Sequence, residues 1–161
     1  MEEYGFKVKL KNKKCFIANS KNNIGIDIIR LFINEGAVIF CNEIPEKLSK
    51  DQIRNINQVD FNILDRKSLK DAFFYINNSF GKIDILINNN NAIDNSKYDT
   101  QTDEQWDFII DSNLNALFKT CQESLLFIKD SGRIINFSSI SGEFGGTFSP
   151  AYVAASKGIM A

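Results

Sequence analysis

Polar side chains follow several short apolar segments of this sequence, at the points where buried strands would end. Residues 19–25 follow the first segment, and Glu43 lies just beyond the second. Residues 88–91 follow the fourth segment, and Ser139 follows the fifth. In an open α/β sheet the carboxyl ends of parallel strands meet at one edge, where ligands bind. These amides, hydroxyls and the carboxylate are therefore candidates for one binding site.

Glu43 lies 18 residues after Gly25, at the end of the second apolar segment. An acidic residue at about this distance from a helix-opening glycine can accept hydrogen bonds from both hydroxyls of an adenosine ribose. The alternative interpretation is a surface carboxylate at the end of a strand. The position favours the ribose-binding role.

The apolar periodicity predicts five strands that alternate with helices. The predicted strands are residues 15–18, 38–41, 58–63, 83–87 and 133–137. The predicted helices are residues 24–34, 46–55, 67–80 and 103–129, with a last helix from residue 150 to the end. This alternation predicts a doubly wound, Rossmann-like α/β fold with a mostly parallel sheet that is buried on both faces. A length of 161 residues fits a single domain.

The first predicted helix carries Ile24, Ile28, Leu31 and Phe32 on one face, at helical spacing. Such an apolar face predicts the side of the helix that packs on the sheet. Ahead of the fourth helix, residues 102–105 resemble a capping box, which predicts where that helix begins.

Composition excludes several classes of function. The net charge is −1, so the sequence has no excess of positive charge with which to bind nucleic acid or an anionic membrane. No apolar run reaches the ~18 residues of a membrane span, and residues 1–6 lack the apolar core of a signal peptide. A cytoplasmic location is therefore expected. Because the sequence contains no histidine, histidine-based triads and histidine metal sites are excluded.

The three cysteines, Cys15, Cys41 and Cys121, lie far apart and lack the spacing of metal ligands. Each lies within an apolar segment, which predicts a small buried thiol. The sequence therefore predicts no metal site.

Four segments occur together in an order that makes them specific as a set. They are Asp84-Ile-Leu-Ile-Asn-Asn89, Trp106 with Ile110-Asp-Ser-Asn113-Leu, Gly132-Arg-Ile-Ile-Asn-Phe-Ser-Ser139 and Tyr152-Val-Ala-Ala-Ser-Lys157. With these segments the chain resembles the main branch of the short-chain dehydrogenase/reductase family, and in particular the 3-oxoacyl-carrier-protein reductases. The resemblance extends back to about Lys13 and so covers nearly the whole chain.

The resemblance implies hydride transfer between a nicotinamide cofactor and a carbonyl or alcohol, such as a 3-oxoacyl group. It gives Tyr152 the role of general acid/base, and since a phenol ionises only near pH ~10, a nearby ammonium must favour the phenolate. Lys157 is the candidate for that ammonium. Ser139 would orient the substrate oxygen, with a strand-end cap as the alternative. Asn113 would anchor a water in the proton relay, with a satisfied core amide as the alternative.

The resemblance also implies a set of cofactor contacts. The turn after the first strand and the start of the next helix would face the pyrophosphate. The residue at the end of the second strand would bind the adenosine ribose, and Tyr152 and Lys157 would bind the nicotinamide ribose. The residues concerned at the first two positions are Asn19, Asn23, Ile24, Gly25 and Glu43. Lys21, in the same turn, would either add attraction for the phosphates or be simply solvated. Asn62 would contact the adenine, and Asn89, with Asn88, would line the adenosine side. Glu43 favours NAD over NADP because a carboxylate repels a 2′-phosphate, and Lys21 weakens that preference.

Two departures from the family concern small residues. Its turn reads Thr-Gly-x-x-x-Gly-x-Gly, whereas this chain reads Ala18-Asn19-Ser-Lys-Asn-Asn23-Ile-Gly25. Asparagine tolerates the left-handed backbone better than other non-glycine residues, so the turn is expected to survive. The added side chains would occupy phosphate space. After the fourth strand, Asn90 and Asn91 replace small residues and would reduce the space for the cofactor.

A third departure concerns spacing. Tyr152 and Lys157 are five residues apart instead of four, which places their side chains about 140° apart on an α-helix. Ser156 occupies the family's lysine position. Without a π-bulge, catalysis is expected to be reduced or absent.

Two other functions therefore remain open beside the oxidoreductase. One is a non-catalytic relic or binding module that keeps the fold, and the other is a subunit that dimerises through the helix predicted at residues 103–129. The sequence stops within the last predicted helix, so the domain is expected to be incomplete at its carboxyl end and to lack further strands of the family fold. The segment that would shape the substrate pocket is expected to be among the missing parts, so the sequence predicts no particular substrate.

Overall fold

A computed structural model describes residues 8–161; the prediction about a signal peptide at residues 1–6 lies outside the described residues. Five strands form one parallel sheet in the order β3-β2-β1-β4-β5. They are β1 Lys14–Ala18, β2 Val38–Cys41, β3 Ile56–Gln58, β4 Ile83–Asn88 and β5 Ile128–Asn136. The order reverses direction at β1 and β4, which confirms the doubly wound, Rossmann-like fold and puts the ligand crevice beyond their carboxyl ends.

The connections between strands are helical. The helices are α1 Asn23–Asn34, α2 Lys50–Ile53, α3 Arg66–Phe80, α4 Asp103–Ile110, α5 Ala116–Ser124, α6 Ser141–Phe144 and α7 Pro150–Met160, and a π-helical turn, Asp111–Asn115, joins α4 to α5. In the described part of the chain, none of these helices is both long and apolar enough to cross a membrane.

The central strand β1 explains why the sheet is buried on both faces. Its side chains alternate between two apolar clusters, as the pleat of a strand requires. Ile17 packs with Ile29 of α1 on one face, whereas Phe16 packs with Phe73 of α3 on the other, with ring centroids 4.5 Å apart. A continuous apolar run is therefore what a central parallel strand needs.

The buried face of α1 agrees only in part with the predicted one: Ile28 and Phe32 pack against the core as predicted. Ile26 and Ile29 are buried, whereas Ile24 and Leu31 are 47% and 58% exposed. The helix approaches the sheet through Gly25, where an added Cβ would lie 2.7 Å from the Ser20 carbonyl oxygen. This close contact rotates the Ile24 side of the helix away from the core.

The third strand and the helix before it are shorter than predicted. β3 ends at Gln58 instead of residue 63, because its neighbour β2 ends at Cys41 and offers no further backbone partner. The Val59 N–H still donates to the Cys41 carbonyl, and the chain then leaves the sheet. The helix predicted at residues 46–55 forms only from Lys50 to Ile53, after a capping box on Ser49.

The helix predicted at residues 103–129 ends five residues earlier than predicted, at Ser124. The capping box on Thr102 begins α4 as expected, but the helical path turns π-helical at Asp111–Asn115 and ends at Ser124. The last apolar residues belong to β5, which begins at Ile128, five residues earlier than predicted, and pairs with β4. An apolar run of this length fits a helix or a strand, and pairing with β4 decides between them.

Candidate functional site

The turn after β1 keeps its shape without two of its three expected glycines. Asn19 adopts the left-handed conformation with φ of 61°. Asn22 is the N-cap of α1, and its Oδ1 accepts a 2.8 Å hydrogen bond from the Gly25 N–H. Because a Cβ on Gly25 would collide with backbone atoms of Ser20, this glycine is required. The turn therefore survives through one tolerant asparagine and one retained glycine.

The amino terminus of α1 presents two backbone donors. Asn23 and Ile24 are the first two helical residues, and their N–H groups precede the first hydrogen bond within the helix. Both side chains are exposed. Such donors, together with the helix dipole, favour an anion such as a phosphate.

Asn89 connects the end of β4 to this turn. Its side chain is 1% exposed, and its Nδ2 donates to the Asn19 carbonyl at 2.9 Å and to Asn22 Oδ1 at 2.8 Å. The neighbouring Asn88 donates from Nδ2 to Asn136 Oδ1 at 2.9 Å and so links β4 to β5. These amides hold the sheet edge and the turn in fixed positions.

Lys21 and Glu43 form an ion pair across the same edge, with 2.6 Å between Lys21 Nζ and Glu43 Oε2. They line an open cavity of about 590 Å³ that also includes Ile26, Ile44 and Gln58. The predicted ribose-binding carboxylate therefore lies beside an ammonium, and this surface presents both signs of charge. An ion pair this exposed contributes about 0–1 kcal/mol to stability.

Asn62 does not join these residues. It is exposed, and its Oδ1 accepts a 2.9 Å hydrogen bond from the Leu64 N–H. Its own N–H donates to Ser68 Oγ at 2.9 Å. The side chain closes a local turn after β3, and its contact with an adenine stays a prediction.

A second cavity of about 290 Å³ lies at the carboxyl ends of the central strands, between α1 and α7. Every residue that lines it is uncharged. The predicted site residues that meet there are Ile24, Asn89, Asn113, Ser139 and Tyr152, and they are joined by Asn90, Asn91 and Ser156. We call this space the central cavity.

Tyr152 is held in the central cavity by the first turn of α7. Ser149 caps that helix by accepting a hydrogen bond from the Tyr152 N–H, and the phenol ring packs against Phe148 with centroids 4.9 Å apart. The Tyr152 hydroxyl donates to Asn91 Oδ1 at 2.8 Å. Ser139 Oγ accepts from the Ser141 N–H at 3.2 Å, which leaves its own proton able to donate.

Lys157 lies on another face of α7, as the five-residue spacing predicts. The helix is regular from Pro150 to Met160, and Lys157 Nζ pairs with Glu143 Oε2 at 2.7 Å. The hydrogen bond and charge of this ammonium hold the pKa of Glu143 below its ordinary value. Ser156 occupies the cavity-facing position instead, 4% exposed, and its carbonyl accepts a 2.7 Å hydrogen bond from Ser138 Oγ.

Asn113 lies in the π-helical turn and is 3% exposed. Its Nδ2 donates to the carbonyls of Ala92 and Ile109, both at 2.9 Å, and its Oδ1 accepts from the Ala92 N–H at 3.0 Å. Both amide protons are thus committed to the backbone. Asn113 fixes the loop after β4 and keeps one acceptor lone pair, through which a water could still be bound.

Sequence reasoning missed two features of this site. Asn22 caps α1, and an asparagine immediately before an apolar helical pattern is the signal that identifies such a cap. The partnership between Asn91 and Tyr152 carries no comparable signal, because the two residues lie 61 positions apart.

The family model described as short chain dehydrogenase matches residues 13–161. The 3-oxoacyl-[acyl-carrier-protein] reductase FabG of Thermotoga maritima is 27% identical over 162 residues, which cover 95% of this chain and 66% of that protein. The D-beta-hydroxybutyrate dehydrogenase of Cupriavidus necator is 31% identical over 160 residues, covering 94% of this chain and 62% of the relative.

Solved structures show the same fold. A short chain dehydrogenase from Leptospira borgpetersenii, with bound NAD+, superposes with a TM-score of 0.88 at 24% identity over 99% of this chain and 66% of its own. The structure of the Cj0485 dehydrogenase superposes with a TM-score of 0.85 at 24% identity, over 96% of this chain and 62% of its own. These structures share the Rossmann-like fold of this chain, and the match to the family model over residues 13–161 shows that the chain belongs to the short-chain dehydrogenase family. It spans 62–66% of the length of these relatives.

Proposed function

We propose that this chain is an NAD(P)-dependent oxidoreductase domain that binds the dinucleotide along the carboxyl edge of its sheet. The observation that carries the proposal is the central cavity, which joins Ile24, at the start of α1, to Tyr152 and Ser139. A dinucleotide whose phosphates lie on α1 would bring its reactive ring towards that tyrosine and serine. The substrate would be a carbonyl or an alcohol.

The fit of a dinucleotide to these residues is good at one end. The backbone N–H groups of Asn23 and Ile24 would hold the pyrophosphate, and Glu43, with Lys21 beside it, would hold the adenosine ribose. The carboxylate favours NAD over NADP. The fit is incomplete at the other end, since the only ammonium of α7, that of Lys157, pairs with Glu143 on the surface.

The substrate class is supported by the relatives. One is named as a reductase of 3-oxoacyl-[acyl-carrier-protein] and another as a dehydrogenase of D-beta-hydroxybutyrate. Both names describe an oxygen on the third carbon of an acyl chain, as ketone or alcohol. We therefore favour a 3-oxoacyl or 3-hydroxyacyl substrate.

Three residues of the central cavity would act on the substrate or support the site: Tyr152, Ser139 and Asn113. A bound nicotinamide supplies or accepts the hydride. Tyr152 would give a proton to the substrate oxygen during reduction, after its hydroxyl leaves Asn91. Ser139 would donate a second hydrogen bond to the same oxygen, and Asn113 would keep the adjoining loop in place.

A second candidate is dinucleotide binding without turnover. Two observations favour it: the Tyr152 hydroxyl donates to Asn91, and the ammonium of Lys157 faces Glu143. Neither arrangement prevents binding, whereas both oppose proton transfer at the phenol. The two candidates therefore share a binding site and differ in turnover.

Titration with NADH and NADPH, followed by nicotinamide fluorescence and by quenching of Trp106, tests the proposal. Saturable binding below about 1 mM, worth at least ~4 kcal/mol, is expected. If neither nucleotide binds, both candidate functions are wrong. If one binds, oxidation of NADH in the presence of a short 3-oxoacyl thioester separates an active enzyme from a binding module.

We further propose that a second copy of the chain pairs through α4 and α5. Phe108 is 59% exposed and Phe118 56% exposed on this segment, and large exposed apolar side chains favour an interface. Sedimentation of the wild type and of Phe118→Glu tests this. A dimer that becomes monomeric in the variant is expected, and a wild-type monomer would reject the pairing.

A further inference from the structure

Asn90 differs from the other asparagines around the central cavity. It is 6% exposed and lines the cavity. Among the described residues 8–161, neither its Nδ2 nor its Oδ1 has a hydrogen-bond partner. By contrast, both amide protons of Asn113 are bound, and Asn91 Oδ1 holds Tyr152. Asn90 therefore presents a complete, unused donor and acceptor pair.

A buried amide without partners is unfavourable, and native proteins rarely keep one without a role. Such local conflicts are concentrated at functional sites, where a ligand completes the missing contacts. Because the central cavity is lined only by uncharged residues, several of them polar, it favours an uncharged polar group of a ligand beside Asn90. Neighbouring hydroxyl groups of a sugar meet both conditions, since each hydroxyl can donate and accept.

We propose that Asn90 is a ligand-binding residue that hydrogen-bonds the hydroxyls of the ribose nearest the reactive end of a dinucleotide. The inference rests on the proposed function. It gives Asn90 the ribose contact that Lys157 cannot make, because that side chain is held by Glu143 outside the cavity. Asn90 then compensates for the shifted lysine in binding, and it leaves the phenol of Tyr152 without a neighbouring charge.

The competing interpretation is that Asn90 only obstructs the cavity where a smaller residue would leave room. The two interpretations predict opposite signs for one substitution. Asn90→Ala removes the amide and enlarges the cavity at the same time. If Asn90 binds the ribose, Asn90→Ala weakens NADH binding; if it obstructs, the same change strengthens it.

The experiment compares the affinities of the wild type, Asn90→Ala and Asn90→Ser for NADH and for ADP, which lacks the second ribose. Asn95→Ala, an exposed amide in the same loop, is the control. For Asn90→Ala we expect NADH to bind about tenfold more weakly, or about 1.4 kcal/mol, and ADP to bind as tightly as before. Asn90→Ser, which keeps a donor and an acceptor, should recover part of the loss.

Other results would reject either the role of Asn90 alone or the proposed function as well. Unchanged or tighter NADH binding by Asn90→Ala, with ADP binding intact, rejects the role of Asn90 and leaves the proposed function standing. Failure of the wild type to bind NADH rejects the proposed function together with the inference. The melting temperature without ligand confirms that Asn90→Ala folds, because removal of an unpartnered amide should leave it unchanged or raise it.

Discussion

The two ends of β4 differ in whether their buried polar side chains have hydrogen-bond partners. At the amino end, Asp84 is 5% exposed and accepts hydrogen bonds from Lys129 Nζ at 2.8 Å, from Lys13 Nζ at 3.3 Å and from the Lys14 N–H at 3.0 Å. At the carboxyl end, the buried amides of Asn88 and Asn90 keep unpartnered atoms. One strand thus carries a satisfied polar cluster and an unsatisfied one.

This difference separates stability from function along a single element. A fully paired buried carboxylate resists removal of any member, because the remaining charges lose their compensation. Unpartnered amides oppose folding and are retained where a ligand can complete them. The amino end of β4 therefore ties β1 to β5, and the residues that follow its carboxyl end line the central cavity of the proposed site.

The largest effect is expected from breaking the paired end. Asp84→Asn should destabilise the protein by about 3 kcal/mol at pH 7, since it removes the buried charged acceptor of three hydrogen bonds, although the two lysines are about half exposed and can be solvated. Burial raises the pKa of Asp84, but hydrogen bonds from Lys129, the Lys14 N–H and Lys13 outweigh burial and lower the pKa below its ordinary value. The carboxylate therefore contributes stability above the unfolded pKa, and this contribution is lost as the pH falls through the folded pKa.

Urea unfolding at pH 7 and at successively lower pH measures both effects, and the two proteins should converge in stability only once the pH lies below the folded pKa of Asp84. Asp71→Asn is the matched control, because Asp71 pairs with Lys67 on the surface, where the side chains are 64% and 84% exposed. That control should change stability by less than about 1 kcal/mol. A constant difference between wild type and Asp84→Asn at all pH values would contradict the linkage.

The next effect concerns catalysis at the carboxyl end. Ser156→Lys would place an ammonium in the central cavity four residues after Tyr152, on the same face of α7. If the displaced lysine limits turnover, NADH oxidation with a 3-oxoacyl thioester should rise about 100-fold. Ser156→Met is the control because it adds similar length without charge. Equal rates in the two variants would show that the position of the lysine is not the limiting defect.

Adjacent amides at the end of β4 should differ in the sign of their effect on stability. Asn89→Ala removes the two hydrogen bonds to Asn19 and Asn22 that hold the turn, and we expect it to cost about 1–2 kcal/mol. Asn90→Ala removes no hydrogen bond and should cost nothing or stabilise. Thermal unfolding of both variants without ligand makes the comparison, and equal destabilisation would remove the distinction between paired and unpaired amides.

The sequence is sufficient where a strand or helix is defined by its own residues. β1, β2 and β4 lie within one residue of their predicted bounds, because each is a short apolar run between turn residues. β3 and β5 were predicted near their observed places, but their bounds could not be, since these depend on the length of β2 and on pairing with β4. Pairing partners distant in sequence leave no mark on local periodicity.

The same distinction holds in the site. The separation of Tyr152 from Lys157 follows from helical geometry alone, and the structure places Lys157 on Glu143, away from the central cavity. Sequence reasoning placed Lys21 and Glu43 at the same edge of the sheet and opposed them in the choice between NAD and NADP. It did not predict their direct contact, because the side-chain distance depends on the conformation of the turn after β1.

The smallest effect is expected at this ion pair. Glu43→Gln frees the ammonium of Lys21 from the contact at 2.6 Å and removes the charge that repels a 2′-phosphate. NADPH binding should therefore strengthen about fivefold, near 1 kcal/mol for one exposed charge in water, while NADH binding weakens. Lys21→Met is the reciprocal control and should weaken NADPH binding. Salt screens interactions between exposed charges, and the Debye length falls from ~14 Å to ~4 Å between 50 and 500 mM salt. The gain in NADPH affinity should therefore shrink over this range. If neither substitution changes the relative affinity for NADH and NADPH, then Lys21 and Glu43 do not contact the adenosine ribose.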